Sequence, residues 1–177
     1  MDTAATPAGS SSALRDPGPG SREFREAMSR LPTAVSIVTT CDTDGGDHGF
    51  TAGSVVSVSL EPPLVLVCLA RTADCHDAFA ASPWFAVSVA GPEHTGLASR
   101  FATKGADKFA EGRFRRGDSG TLLLEGARLA LECRVLDRHP GGDHDILVGR
   151  VMRTHTDEAD ALVFVDRSFT TVASSSR

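Results

Sequence analysis

Apolar and polar residues alternate along most of this chain, and that two-residue rhythm predicts strands. "TAVSIVTTC" (33–41) is β-branched and alternating, "DTDGGD" (42–47) is turn chemistry, and "HGFTAGSVVSVSL" (48–60) predicts the returning strand. "EPP" ends that strand, and "LVLVCLA" (64–70) is apolar throughout, which predicts a strand buried on both sides. "WFAVSVA" (84–90), "ARLALECRVLDRH" (127–139), "HDILVGRVMRTHT" (144–156) and "ALVFVDRSFTTV" (161–172) predict four more strands, with "PGGD" as a hairpin turn. Helical spacing is confined to short pieces. Phe24, Ala27, Met28 and Leu31 share one face of "SREFREAMSRLP" (21–32), with Ser21 as its cap and Pro32 as its stop. "ADCHDAFAAS" (73–82) predicts a second short helix, and "EHTGLASRFATKGADKF" (93–109) predicts one or two helical turns with Leu97 and Phe101 four apart. Strands dominate and no regular βαβ alternation appears, so the predicted fold is mainly β, a Greek-key antiparallel barrel with a few short helices.

The ends of the chain follow a different rule. Residues 1–20 are rich in Ser, Ala, Gly and Pro and are expected to form a disordered arm; 173–177 are expected to be a flexible tail. One domain, 21–172, remains between them. Of the 177 residues, 41% are hydrophobic and 23% charged, a balance that supports a soluble core. The net charge of -5 argues against a nucleic-acid partner, because phosphate binding needs a basic surface. No apolar run is long enough for a membrane span and no secretory start is present, so the expected location is cytoplasmic. The four cysteines, Cys41, Cys68, Cys75 and Cys133, form no C-x-x-C pair and read as buried or neutral thiols, not as a disulfide framework or a zinc site.

Most catalytic signatures are missing. The chain has no G-x-G-x-x-G after a strand, no P-loop, no G-x-S-x-G elbow and no close set of metal ligands. A protein without these either borrows its reactivity from a bound cofactor or is not an enzyme. The most informative stretch is Gly49–Ala70. Thr51, Ala52, Gly53 and Ser54 are small, and Ser57 and Ser59 alternate with Val56 and Val58, so both hydroxyls are expected on one face. Such a wall suits a flat ligand lying close to backbone N–H groups; an ordinary barrel strand with a Ser/Thr-rich solvent face has the same pattern. A second puzzle is the run Gly-Gly-Asp-His, present at 45–48 and again at 141–144. The turn chemistry of the first predicts that His48 is exposed.

In order along the chain, "FREAMSRLPTAVSIVTT", "GFTAGSVVSVSLEPPLVLVCLA", "FAVSVA", "LASRFATKGADKF", "LECRV" and "GGDHDILVGRV" resemble the flavin reductase-like family with the FMN-binding split barrel. Two positions depart from the family pattern: Ala34 stands where Gly is usual, and Gly53 where Asn or Ser is frequent. The resemblance implies an NAD(P)H:flavin oxidoreductase that reduces FAD or FMN with NADH or NADPH. It further implies a homodimer that passes reduced flavin to a separate oxygenase, in natural-product (antibiotic) biosynthesis or aromatic hydroxylation. By the same resemblance, Thr51, Ala52, Gly53 and Ser54 line the flavin ring, and Ser57, Val58 and Ser59 run along its edge or ribityl chain. Ala70, at the end of the buried strand, also binds the flavin, and Arg71, Thr72 and His76 face the phosphate, although His76 also fits a solvated helix position. Phe101, Lys104 and Lys108 lie near the outer end of the flavin or its entrance, although a lysine such as Lys108 is more often an ordinary surface residue. His144, with Asp143 orienting it, faces the nicotinamide. Other split-barrel oxidoreductases, a non-enzymatic flavin or haem binder and a plain interaction module are the rival readings.

Overall fold

The computed structural model describes residues 18–174; most of the expected arm, and residues 175–177 of the expected tail, lie outside the described residues. Seven strands form one antiparallel sheet: β2 (Ser36–Cys41), β3 (Asp47–Ala52), β4 (Val56–Ser59), β5 (Leu64–Ala70), β6 (Trp84–Val89), β9 (Leu129–Gly141) and β10 (His144–Thr156). Their order is β3-β2-β6-β9-β10-β5-β4. Two small sheets complete the fold: β1 (Thr33–Ala34), β11 (Ala161–Val165) and β12 (Ser168–Val172) form one, and β7 (Phe114–Arg116) with β8 (Leu122–Leu124) the other. The helices are α1 (Ser21–Ser29), α2 (His76–Ala81) and α3 (Thr95–Ala102).

The sheet curls around one apolar cluster. Val38, Val65, Val67, Leu69, Phe85, Val87, Cys133 and Leu147 meet inside it, and Phe79 of α2 packs into the same cluster. A second cluster joins Ile37, Leu97, Phe101, Leu124 and Leu162, and it seats α3 on the outer face of β2 and β3. Consecutive residues of β2 feed different clusters, Ile37 the second and Val38 the first, which the two-residue period of a strand requires.

Several local expectations change. The strand expected over 33–41 is two strands, because at Val35 the backbone pairs with Leu162 and Ala90 and the chain passes between sheets. The strand expected over 48–60 breaks at 53–55 into β3 and β4. β5 is not buried on both sides: Val65, Val67 and Leu69 are buried, while the residues between them are half-covered. A register shift in β4 places Ser57 opposite Val65 and Ser59 opposite Leu64, neighbours on β5, so the two hydroxyls do not share a simple alternating face. The strand expected over 161–172 is a hairpin turned by Asp166 (φ 49°) and Arg167 (φ 60°). Gly20, not Ser21, occupies the cap position of α1, and α1 buries none of its residues. The four cysteines are free.

Candidate functional site

A two-lobed trough lies where β3, the end of β5 and the chain around α3 converge. The first lobe, about 270 Å³, is walled by Gly49, Phe50 and Thr51 of β3, by Ala70 and 72–75, and by Phe101, Ala102, Lys104 and Lys108. The second lobe, about 460 Å³, continues past Asp47 and His48 to Gly105–Phe109. Gly49, Asp74, Cys75 and Lys108 belong to both.

Why the walls stand where they do follows from a few contacts. Thr51 donates its hydroxyl to the carbonyl of Ala98 (2.6 Å), fixing α3 over β3. Gly49 makes the close approach possible: a Cβ there would come within 2.7 Å of the Phe101 ring and 2.9 Å of the Val38 carbonyl. Phe101 is buried and packs edge-on against Phe109, ring centres 5.1 Å apart. Asp74 accepts from the N–H of Gly105 (2.6 Å), tying the loop after α3 to the wall after β5. Lys108 donates to the carbonyls of Thr103 (2.7 Å) and Phe101 (3.2 Å), which places its ammonium at the C-terminal end of α3. β3 is an edge strand of its sheet, so one side of its backbone has no strand partner. Burial pushes the Cys75 thiol up to about 11, leaving a neutral thiol in the wall rather than a nucleophile.

At the rim, β10 begins opposite the end of β5, with His144 facing Ala70 and Asp145 facing Leu69. His144 Nδ1 lies 2.7 Å from Asp143, and this contact holds the Asp143 carboxyl below its ordinary range. Asp145 receives both the Arg71 Nε (2.9 Å) and Nη2 (2.8 Å) on one oxygen and lies 2.8 Å from His76 Nε2 with the other. His76 is raised above its usual value near 6.5 by Asp145 first and Asp77 second. The Asp145 carboxyl is lowered by His76 first and Arg71 second.

Of the residues singled out in the sequence, Thr51, Ala70, Thr72, Phe101, Lys104 and Lys108 meet in the first lobe. Arg71, His76, Asp143 and His144 line neither lobe; they lie beside Ala70, where β10 pairs with the end of β5, Arg71 and His76 on Asp145 and His144 on Asp143. Ala52 and Gly53 line a neighbouring apolar hollow with Thr33, Val35, Phe164 and Phe169, and Thr51 lines both this hollow and the first lobe. Gly53 has a packing reason there, since a Cβ would meet the Thr33 hydroxyl at 2.7 Å. Ser54 pins the two strands by accepting the Cys68 N–H (3.0 Å), and Ser57, Val58 and Ser59 lie on edge strand β4, outside the trough. Ala34 is exposed. Sequence reasoning missed Asp74, Cys75 and Asp145, and it set His48 in an exposed turn. The structure half-buries His48 on the second lobe, 2.7 Å from Asp42. The available signal was the Asp directly after the second Gly-Gly-Asp-His run.

Comparison with known proteins fits this arrangement. The profile of the flavin reductase like domain matches residues 28–173. The actinorhodin polyketide dimerase of Streptomyces coelicolor is 51% identical over 152 residues, covering 85% of this chain and 86% of its own. The NADH:riboflavin 5'-phosphate oxidoreductase of Streptomyces pristinaespiralis is 47% identical over 141 residues, 79% of this chain and 80% of its own. The structure of the Streptomyces globisporus NADH:FAD oxidoreductase SgcE6, in complex with NAD and FAD fragments, superposes with a TM-score of 0.81 at 34% identity, covering 86% of this chain and 92% of that one. The chain belongs to the flavin reductase-like family and has the split-barrel fold of that family.

Proposed function

We propose that the trough is the flavin site of this enzyme and that the hairpin carrying His144 receives the nicotinamide. The protein is an NAD(P)H:flavin oxidoreductase that furnishes reduced flavin to a separate monooxygenase. The observation that carries the site assignment is the trough itself: small side chains and edge-strand backbone on two walls, with two lysines along the third. Those groups suit a flat, hydrogen-bonding ring, and the volume of the lobes is that of a small-molecule site. When bound, flavin accepts hydride from a dihydronicotinamide, so the two rings carry the electrons and the protein supplies no nucleophile.

The residues have positioning work. The backbone of Gly49–Thr51 faces the ring edge, and Lys108, anchored on two carbonyls, favours negative charge that develops there. Arg71, Thr72 and His76 hold the phosphate end; His144, oriented by Asp143, keeps the nicotinamide at reacting distance. NADH is the proposed donor, because the relatives bearing a donor in their names bear NADH. The biological setting proposed is natural-product oxidation, as the S. coelicolor relative is named for a polyketide. A homodimer is proposed as well: Val56, Val58 and Leu60 on one edge and Phe24, Met28 and Leu31 around α1 are exposed apolar groups that a second copy would cover.

Anaerobic stopped-flow mixing of the protein with FMN or FAD and NADH or NADPH tests this reading. Bleaching of the oxidised-flavin band is expected, fastest with NADH. Flavin that binds without being bleached would move the protein to the non-enzymatic binders.

A further inference from the structure

Asp145 has no part in the site as proposed so far, yet it stands between two of its cationic groups. It follows His144 directly and shares the inward face of the sheet with its cross-strand partner Leu69. Arg71 is two residues beyond Leu69 and therefore turns the same way. α2 closes that end of the barrel with Phe79 in the core, and His76 is its first residue. The Asp145 carboxylate lies where these three segments meet, one oxygen on Arg71 and the other on His76. The Arg71 N–H also donates to the carbonyl of Asp143 (3.0 Å), so the same corner is stitched twice.

We propose that Asp145 is a positioning residue, which holds the Arg71 guanidinium and a protonated His76 as one fixed cationic pair for the flavin phosphate. The idea rests on the assignment of the phosphate end to Arg71 and His76. Two of the guanidinium nitrogens, Nε and Nη2, face Asp145, so the Nη1 edge is turned away from it. With His76 protonated, the Arg71–Asp145–His76 group carries a net positive charge; with His76 neutral, it carries none. Phosphate affinity therefore falls as His76 deprotonates, and Asp145 sets the pH at which that happens.

The groups facing His76 are few. Asp77, on its own helix, lies 3.3 Å from Nδ1. Asp145 comes from β10, and Arg71, from the loop after β5, acts through Asp145. Asp74 and Lys104 pair with each other on the trough side (3.8 Å). Arg138, from β9, binds the far end of α2 at the carbonyls of Phe79 (3.1 Å) and Ser82 (2.7 Å). Asp145 and Asp77 both favour the cation, and Asp145 is the stronger of the two.

The experiment measures KM for FMN and for riboflavin, which has no phosphate, across the neutral-to-alkaline range in the full-length protein. In the wild type, the preference for FMN is expected to fall with a midpoint above that of an ordinary histidine. Asp145→Asn should move that fall toward acid and raise KM for FMN by about tenfold at neutral pH, with the riboflavin value shifting far less. Asp145→Glu should restore part of the profile, and His76→Gln should remove the pH step. The two glutamate and glutamine variants keep the question open to an answer if Asp145→Asn does not fold. A pH profile in Asp145→Asn that superimposes on the wild type, or a step that persists in His76→Gln, overturns the proposal. Arg71→Ala separates the two levels: if it leaves the FMN-to-riboflavin ratio unchanged, the phosphate assignment itself fails. If it collapses the ratio while Asp145→Asn does nothing, only the role of Asp145 fails.

Discussion

The two Gly-Gly-Asp-His runs share four residues and a bend, and almost nothing else. In the first, Gly45 takes a φ of 85°, and Asp42, six residues before His48, gathers the hairpin. It accepts the N–H groups of Asp44 (3.0 Å) and Gly46 (2.7 Å) and lies 2.7 Å from His48. The Asp of the run itself, Asp47, is taken by Arg116. In the second, Gly142 takes a φ of 75°, His144 pairs with its own neighbour Asp143, and both are more exposed. The residue that follows also differs: Gly49 lets Phe101 lie on β3, whereas Asp145 collects Arg71 and His76. A four-residue identity thus encodes a turn, and it does not fix the partner of the histidine: Asp42, outside the run, holds His48, and Asp143, within the run, holds His144.

The largest expected effect tests the residue after the run. Gly49→Ala drives a methyl toward the Phe101 ring and the Val38 carbonyl, and it should cost about 1–3 kcal/mol in urea unfolding and weaken flavin binding. Unchanged stability would show that α3 does not sit on β3 as described. Next come the histidines themselves. His144→Ala is expected to raise KM for NADH by about tenfold, and His48→Ala to leave it within about twofold; equal effects would erase the distinction between the two runs.

Acid unfolding gives a smaller contrast. His48 first, and then the Gly46 N–H, hold Asp42 below its usual value near 3.8. A depressed carboxyl contributes stability that is present above that value and lost as pH falls through the lower, folded value. His48→Gln should therefore shift acid unfolding to higher pH, and His144→Gln should shift it less because that pair is more exposed. Smallest of all, Asp143→Asn is expected to leave the melting temperature nearly unchanged while raising KM for NADH modestly.

Much of the architecture was legible because strands with one buried face write their own period. β10 runs over the residues that its alternation and the "PGGD" turn mark out. What was not legible depended on partners far along the chain. β7 and β8 are three residues each, too short for a period to show. β5 looked doubly buried because its outward residues are apolar too, and only the half-coverage of Cys68 beside Ser54 explains that. At the break, Thr33, twenty residues earlier, leaves no room for a side chain on Gly53. In the trough, Thr51, Ala70 and Lys108 were reached through family resemblance, while Asp145 and Asp74 act through contacts that spacing does not reveal.

The unburied face of α1 has a consequence for folding. Nine residues make a helix that is marginal in water by itself, and α1 buries none of them against its own barrel, with Met28 only flanking a hollow beside Phe164. Two polar contacts attach it: the Ser29 carbonyl accepts the Asp166 N–H (2.6 Å), and Glu26 meets Arg167 (2.6 Å). If a second copy covers Phe24, Met28 and Leu31, the order of α1 is coupled to assembly. Amide exchange in residues 21–29 should then slow as protein concentration rises, while the strands of the barrel exchange at a rate independent of it.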